Sequence, residues 1–362
     1  MGTTPAAAQL TITAFVLGMA VGNLLFGAVS DSTGRRRPIF VASVTFLAAS
    51  IMCAAAPSIE LLVAARLLQG LAGGTCIVVS RAIVPDVARG REAAKMLSAL
   101  LAITGFVPAI APVLGGILLP AVGWRGIFWT IAAVNLVQIL VAVVLLPETL
   151  PPERRSERAL YGLFPRIGRC LRRPAFVGYM AASGLGFGSL FSYIAASPLV
   201  LQEQLGLSPT AYALVFGAMA LLLPLSNAAN MRVVAFVHPR RALLVALLVY
   251  ALAGAFLLLQ ALTSPTLAVA VPTMAVLSLM SGFVMANATA LAVEVVRDIG
   301  TGAGSAMGFF QFVVAGAVPP LVALGANHMV AMALSIGGCA TVGLVFLLLL
   351  TPAEAEKAQP GS

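Results

Sequence analysis

Gly27-Ala28-Val29-Ser30-Asp31-Ser32-Thr33-Gly34-Arg35-Arg36-Arg37 is the stretch on which the fold turns. It sets an acid, three arginines and two glycines between two uncharged apolar runs, 9–30 and 38–57. An α-helix needs about 20 such residues to cross a hydrocarbon core of about 30 Å. A short charged turn joining two runs of that length is the pattern of consecutive membrane spans meeting at one bilayer face. Its glycines permit a close helix crossing and a turn with positive φ. Asp31, at the end of a span, can pair with an arginine or cap a neighbouring helix.

Working outward, the pattern repeats. Further apolar runs lie at 59–79, 93–119, 126–146, 174–198, 209–231, 242–262, 267–293, 302–324 and 330–350, which predicts eleven spans. Of the 362 residues 60% are hydrophobic and only 9% charged, against about 25% charged in soluble domains. The expected class is therefore an all-α polytopic membrane protein. The first run has no basic leader and passes straight into a charged turn, so it reads as a span and not as a signal peptide. Cys53, Cys76, Cys170 and Cys339 show neither ligand spacing nor a disulfide framework, and no metal or cofactor is expected.

Charge placement gives the orientation. With Met1 outside and loops alternating, all of the 21 Lys and Arg except Arg66 and Arg125 fall within or beside the inner loops and tail. Such retention on the cytoplasmic side fixes topology and supports the count. The net charge of +9 is thus topological, and no nucleic-acid partner is expected. One long basic connection divides the chain into a bundle at 1–147, a linker at 148–173, a second bundle at 174–351 and a cytoplasmic tail at 352–362. Within the linker Leu160, Leu163, Phe164, Ile167 and Leu171 recur at helical spacing among arginines. Pro165 is expected to restart any helix there. A surface helix and a solvated linker are both compatible with this pattern. Five spans followed by six break the symmetry common in transporters, so a further helix upstream of Met1 is expected.

The 27–37 segment resembles the G-x-x-x-D-x-x-G-R-R motif of the major facilitator superfamily. That resemblance implies a fold of two pseudo-symmetric bundles and an inside gate containing Gly27, Asp31, Gly34, Arg35 and Arg36, with Arg81 or Arg35 as partner of Asp31. The second-half loop keeps Arg240 and Arg241 without the acid. Arg66-Leu67-Leu68-Gln69-Gly70 lies in the third span, where an arginine costs about 3 kcal/mol unless it faces a polar cavity or partner. It is similar to the superfamily's R-x-x-Q-G motif, which implies that Arg66, Gln69 and Gly70 serve proton coupling or substrate binding. Snorkelling to the outer interface is the competing reading.

The fourth span carries Gly105, Pro108, Pro112, Gly115 and Gly116, a mixture that allows close packing and local bending. It resembles an antiporter signature, with Ala111 replacing one glycine. This run, with Arg81 to Asp86 and Tyr193 to Pro198, resembles the Bcr/CflA drug/proton antiporters. The resemblance implies export of bicyclomycin- or chloramphenicol-type compounds. Asn287 and Gln311 join the candidate pathway because an amide in hydrocarbon requires a partner.

The expected function is secondary transport, exporting a small molecule in exchange for protons through the plasma membrane. The chain is taken as a monomer and not an enzyme, lacking both a nucleotide-binding loop and a catalytic constellation. A proton antiporter requires a mid-membrane carboxylate, and none stands in these runs; the upstream helix is its expected location. A non-transporting remnant or a membrane sensor of the same fold is the alternative.

Overall fold

Apolar runs surrounded by lipid become helices because backbone N–H and C=O groups have no water to bond and satisfy each other within one segment. The computed structural model describes residues 5–156, 159–299, 302–323 and 327–351, and only some side chains between 90 and 113. Among the described residues the regular elements are all helical: α1 Pro5–Thr33, α2 Arg36–Ala55, α3 Ile59–Val87, α4 Gly90–Leu145, α5 Ala159–Leu171, α6 Pro174–Pro198, α7 Pro209–Val233, α8 Pro239–Leu262, α9 Leu267–Val295, α10 Gly302–Ala323 and α11 His328–Leu350, with short 3-10 and π turns. Starts follow local chemistry. Ser58, Ser208 and Asn327 cap α3, α7 and α11 with side-chain oxygens, and α6, α7 and α8 open on prolines whose missing N–H costs nothing there. The tail at 352–362 lies outside the described residues.

Ten described segments are long and apolar enough to cross a membrane. The expected fourth and fifth spans share the 56-residue α4, of which Leu114–Leu145 counts as one crossing segment. A straight helix of that length would extend about 84 Å, nearly three core thicknesses. Gly123 breaks it with φ 65° and ψ 177°, a conformation that excludes a side chain at little cost only in glycine. Beyond the break, Arg125 donates to Ala56 O at 3.0 Å, while Arg36 donates to Val143 O at 3.3 Å. The second stretch of α4 therefore runs antiparallel to α2.

α5 is continuous through Pro165, which corrects the expected restart. The ring removes one helical hydrogen bond by freeing the carbonyl of Tyr161, and Tyr161 is exposed, so water or a headgroup can meet that carbonyl.

The chain divides into two compact units, one of Met1–Thr104 with Leu114–Pro165, the other of Gly105–Val113 with Arg166–Ser362. In the first, α1 and α3 cross at backbone contact. A Cβ on Gly18 or Gly22 would collide with the carbonyls of Leu67 or Leu71, and one on Gly70 or Gly74 with those of Phe15 or Met19. Two four-residue glycine spacings thus interlock, the small-residue packing favoured where lipid supplies no hydrophobic drive between helices. α2 packs against the same α3. In the second unit α6 packs on α9, α10 and α11, and α8 bridges α9 and α11. Two buried cores fill it, one around Tyr250, Met274 and Met332 and one around Phe176, Leu243 and Leu247.

Gly70→Ala should lower the midpoint of thermal unfolding in detergent, at about 1–3 kcal/mol for forced overpacking. Gly73→Ala, whose Cβ would meet only Phe46 at an ordinary 3.6 Å, should leave it unchanged. Equal midpoints would show that the crossing tolerates separation.

Candidate functional site

The turn between α1 and α2 is organised around one guanidinium. Gly34 takes φ 93°, ending α1 and turning Arg35 back under it. Arg35 Nη1 donates to Ser30 Oγ at 2.6 Å and to Asp31 Oδ1 at 2.6 Å, and Nε donates to Asp86 Oδ2 on α3 at 2.8 Å. Arg35 is buried, as is the Asp86 carboxylate, whereas Asp31 is over a third exposed. Burial of a charge without partners is prohibitive. Here the guanidinium has two acids and a hydroxyl.

Glu148, just past α4, completes the arrangement. Its carboxylate accepts the backbone N–H of Arg35 at 2.8 Å and of Arg36 at 3.3 Å, so an acid sits on the first turn of α2, where the helix dipole favours it. Partial burial pushes its carboxyl up, but N–H donors from Leu150, Arg35 and Arg36 and the charge of Arg155 outweigh this and leave it below the usual carboxylate range. A Cβ on Gly34 would strike this carboxylate, so the glycine serves both the turn and the space.

Some of the residues expected at a gate come together. Asp31, Gly34 and Arg35 meet, and Gly27 faces Val78 of α3. Arg36 is exposed, lying over the Phe40 ring at 5.4 Å. Of the two partners expected for Asp31, Arg35 is the one that pairs; Arg81 is exposed, and among the described residues it has no ion pair with Asp31. It precedes Asp86 by five residues, about 140° round the helix, so α3 turns Asp86 and not Arg81 toward the turn. The residues that sequence reading passed over, Ser30, Asp86 and Glu148, share one available signal. Each is a hydrogen-bond acceptor on the inner side: Ser30 and Glu148 stand within two residues of the end of an apolar run, and Asp86 one residue before the end of α3.

Deeper in α3, Arg66 donates to Gln69 Oε1 at 2.6 Å, and Gln69 Nε2 donates to the buried Ser50 Oγ on α2 at 2.7 Å. The guanidinium lies over Phe15 at 4.1 Å and Phe128 at 5.9 Å. Among the described residues no carboxylate pairs with it. An amide and two ring faces stabilise the cation without neutralising it, which leaves it able to attract an anion or respond to a nearby proton. Gly70, adjacent in sequence, faces the α1 backbone instead.

In the second unit Asn287 and Asn230 exchange amide hydrogen bonds at 2.7 and 3.4 Å between α9 and α7. Gln311 donates to Ser183 at 2.6 Å from α10 to α6. Of the antiporter-like run, Gly105, Pro108 and Pro112 lie outside the residues with described surroundings. Gly115 is half-buried and Gly116 exposed.

Helix content, span number and this charged turn point one way, and the model of the Major Facilitator Superfamily matches residues 1–320. The chain belongs to that superfamily. It is a multi-span membrane transporter by family. An uncharacterised major facilitator type transporter of Bacillus subtilis, YdgK, is 32% identical over 95% of this chain and 86% of its own. The multidrug resistance protein MdtL of Klebsiella pneumoniae is 27% identical over 97% and 88%. MdtL of Salmonella heidelberg is 32% identical over 59% of this chain, a match spanning about half (53%) of that relative. The superfamily fold also matches the crystal structure of the human organic anion transporter MFSD10 (TETRAN), with TM-score 0.67 and 21% identity over 95% of this chain and 83% of that one.

Glu148 carries a pH signature. A carboxyl depressed in the fold contributes stability that is full above its unfolded value, near 4.3, and lost as pH falls through the folded one. Thermal stability of Glu148→Gln should therefore run parallel to the parent from about pH 5 to 8, and fall less steeply than the parent below about pH 4. Identical acid limbs would detach Glu148 from the turn. Arg35→Gln, which strands buried Asp86, should cost about 3 kcal/mol by the same measurement.

Proposed function

We propose that this chain is a secondary transporter of the bacterial inner membrane that exports small molecules or drugs in exchange for protons, of the Bcr/CflA type. Its working parts are two bundles, at 1–147 and 174–351, joined by a cytoplasmic linker at 148–173. The observation that carries the reading is Arg66, a cation within a span held by Gln69 and Phe15 and paired with no carboxylate among the described residues. An uncompensated cation at that depth is costly, and membrane proteins retain such groups where charge moves. The names of the MdtL relatives support multidrug export, and the resemblance of 105–116 to the antiporter signature supports exchange with protons.

In this reading the Arg35 cluster is the inside gate. Its bonds join the ends of α1 and α3 to the start of α2 when the cavity faces outward, and some are given up when it opens inward. Asn287 and Gln311 line the pathway of the second bundle, each bonded across helices so that no amide is stranded in hydrocarbon. Substrate and protons then move by rocking of the bundles.

The test is uptake into everted membrane vesicles with an imposed inward-acid gradient, using chloramphenicol-type compounds as the first panel. Any accumulation by the parent should occur only while the gradient persists. Arg66→Gln should lower the rate at least about tenfold at equal protein, the loss expected for removing one charge-stabilising group. Gradient-independent accumulation would overturn the antiport reading, and a parental rate from Arg66→Gln would remove Arg66 from the pathway.

A further inference from the structure

α5 carries two apolar faces, and protein covers only one. At the ideal 100° step, Ala159, Leu163 and Cys170 fall within about 40° of one another, and all three are buried. Leu160, Phe164 and Leu171 fall within another sector of about 40°, centred about 100° away. These remain open at 38%, 60% and 45% exposure, and Tyr161 on the edge of the same stripe is 84% exposed. Past Tyr161 the surface turns cationic, with Arg172 and Arg169 next round the helix and both exposed. The order around the axis is therefore protein, apolar stripe, tyrosine, arginines.

That order has one natural occupant. A helix wholly in water would not hold a phenylalanine and two leucines uncovered on one stripe, and a helix wholly in protein would not end its stripe in arginines. At a bilayer surface the stripe enters the acyl boundary, tyrosine takes the headgroup level, and the guanidinium groups reach phosphates from long apolar stems. The charge selects among lipids. Arg169 and Arg172 stand together at the C-terminal end of α5, both exposed, and clustered cations beside a membrane favour anionic headgroups. A second copy of this chain would bring the same arginines against each other.

We propose that α5 is an anionic-lipid contact, with Leu160, Phe164 and Leu171 seated in the cytoplasmic leaflet and Arg169 and Arg172 on the phosphates of acidic phospholipids. The cytoplasmic placement rests on the orientation proposed above. The contact itself is read without any transport measurement, so loss of one result does not imply loss of the other.

The experiment replaces Trp124 and Trp129 by Phe and introduces Phe164→Trp, or Leu171→Trp as a second reporter on the same stripe, in the full chain reconstituted in phosphatidylcholine vesicles. Phosphatidylglycerol or phosphatidylcholine brominated on its acyl chains is then added at equal mole fraction, and quenching of tryptophan emission is measured. Brominated phosphatidylglycerol should quench at least about twofold more than brominated phosphatidylcholine, and Arg169→Gln with Arg172→Gln should bring the ratio to about one. Absence of quenching by either lipid at both reporters would make α5 a solvated or protein-covered linker. Equal quenching by the two lipids, or a preference that survives the double substitution, would overturn the anionic-lipid assignment.

Discussion

A guanidinium leaving water at the edge of a hydrocarbon layer keeps five N–H donors and a full charge, and both must be met within a few ångströms. Arg35 meets them with groups from separate parts of the chain: Ser30 and Asp31 at the end of α1, and Asp86 near the end of α3. Glu148, at the exit of α4, binds the backbone of the same residue. Three segments remote in sequence are thus fixed at one turn. The dependence is collective, because a partly satisfied buried network is worse than an apolar one. Gly34 makes it possible by supplying positive φ beside a carboxylate that leaves no room for a side chain.

Above this cluster the α1–α3 crossing is close enough that its glycines touch backbone, so the two ends that present Ser30, Asp31 and Asp86 share one rigid spacing. Arg66 lies on the same α3, held over Phe15 of α1. Its lateral position is therefore set by the crossing that also sets the turn. Gly70 acts on this position through packing, by allowing α1 to approach.

The sequence made the helices legible because lipid removes the alternatives: an apolar run of sufficient length has no way to satisfy its backbone except as a helix. The same reasoning found the Asp31–Arg35 turn, since charge there had to be explained. It also found that Asn287 needed a partner, but Asn230 could not be chosen from sequence, because pairing across two helices depends on their rotation and depth. That α3 turns Asp86 rather than Arg81 toward Arg35 was hidden for the same reason: a rotation of about 140° separates them, and only packing fixes it. Glu148 was hidden by its setting, an acid opening an arginine-rich linker whose pattern fitted a surface helix or a solvated connection equally. Gly18 and Gly22 were legible in principle, as a four-residue glycine spacing facing Gly70 and Gly74.

The second unit solves the corresponding problem with different chemistry, and the difference bears on which loop can act as a switch. Arg240, at the start of α8, is buried and donates to Thr351 Oγ1 at 3.2 Å and to Thr351 O at 2.8 Å, just past the end of α11. This repeats the geometry of α2 and Glu148, a helix start held by the exit of the last span of its unit. Thr351 is neutral, however, and its carbonyl complements the cation by adding to the negative end of a helix dipole. Nearby Arg173 does find an acid, Asp298, but both side chains are 40% or more exposed, where such a pair contributes about 0–1 kcal/mol. Among the described residues the buried ion pair is the one between Arg35 and Asp86. A loop held by neutral acceptors offers its cation no counter-charge, whereas Asp31 and Asp86 hold Arg35 by charge and meet any group that competes for the same cation. The first unit's turn is the one whose energy can be exchanged with its surroundings.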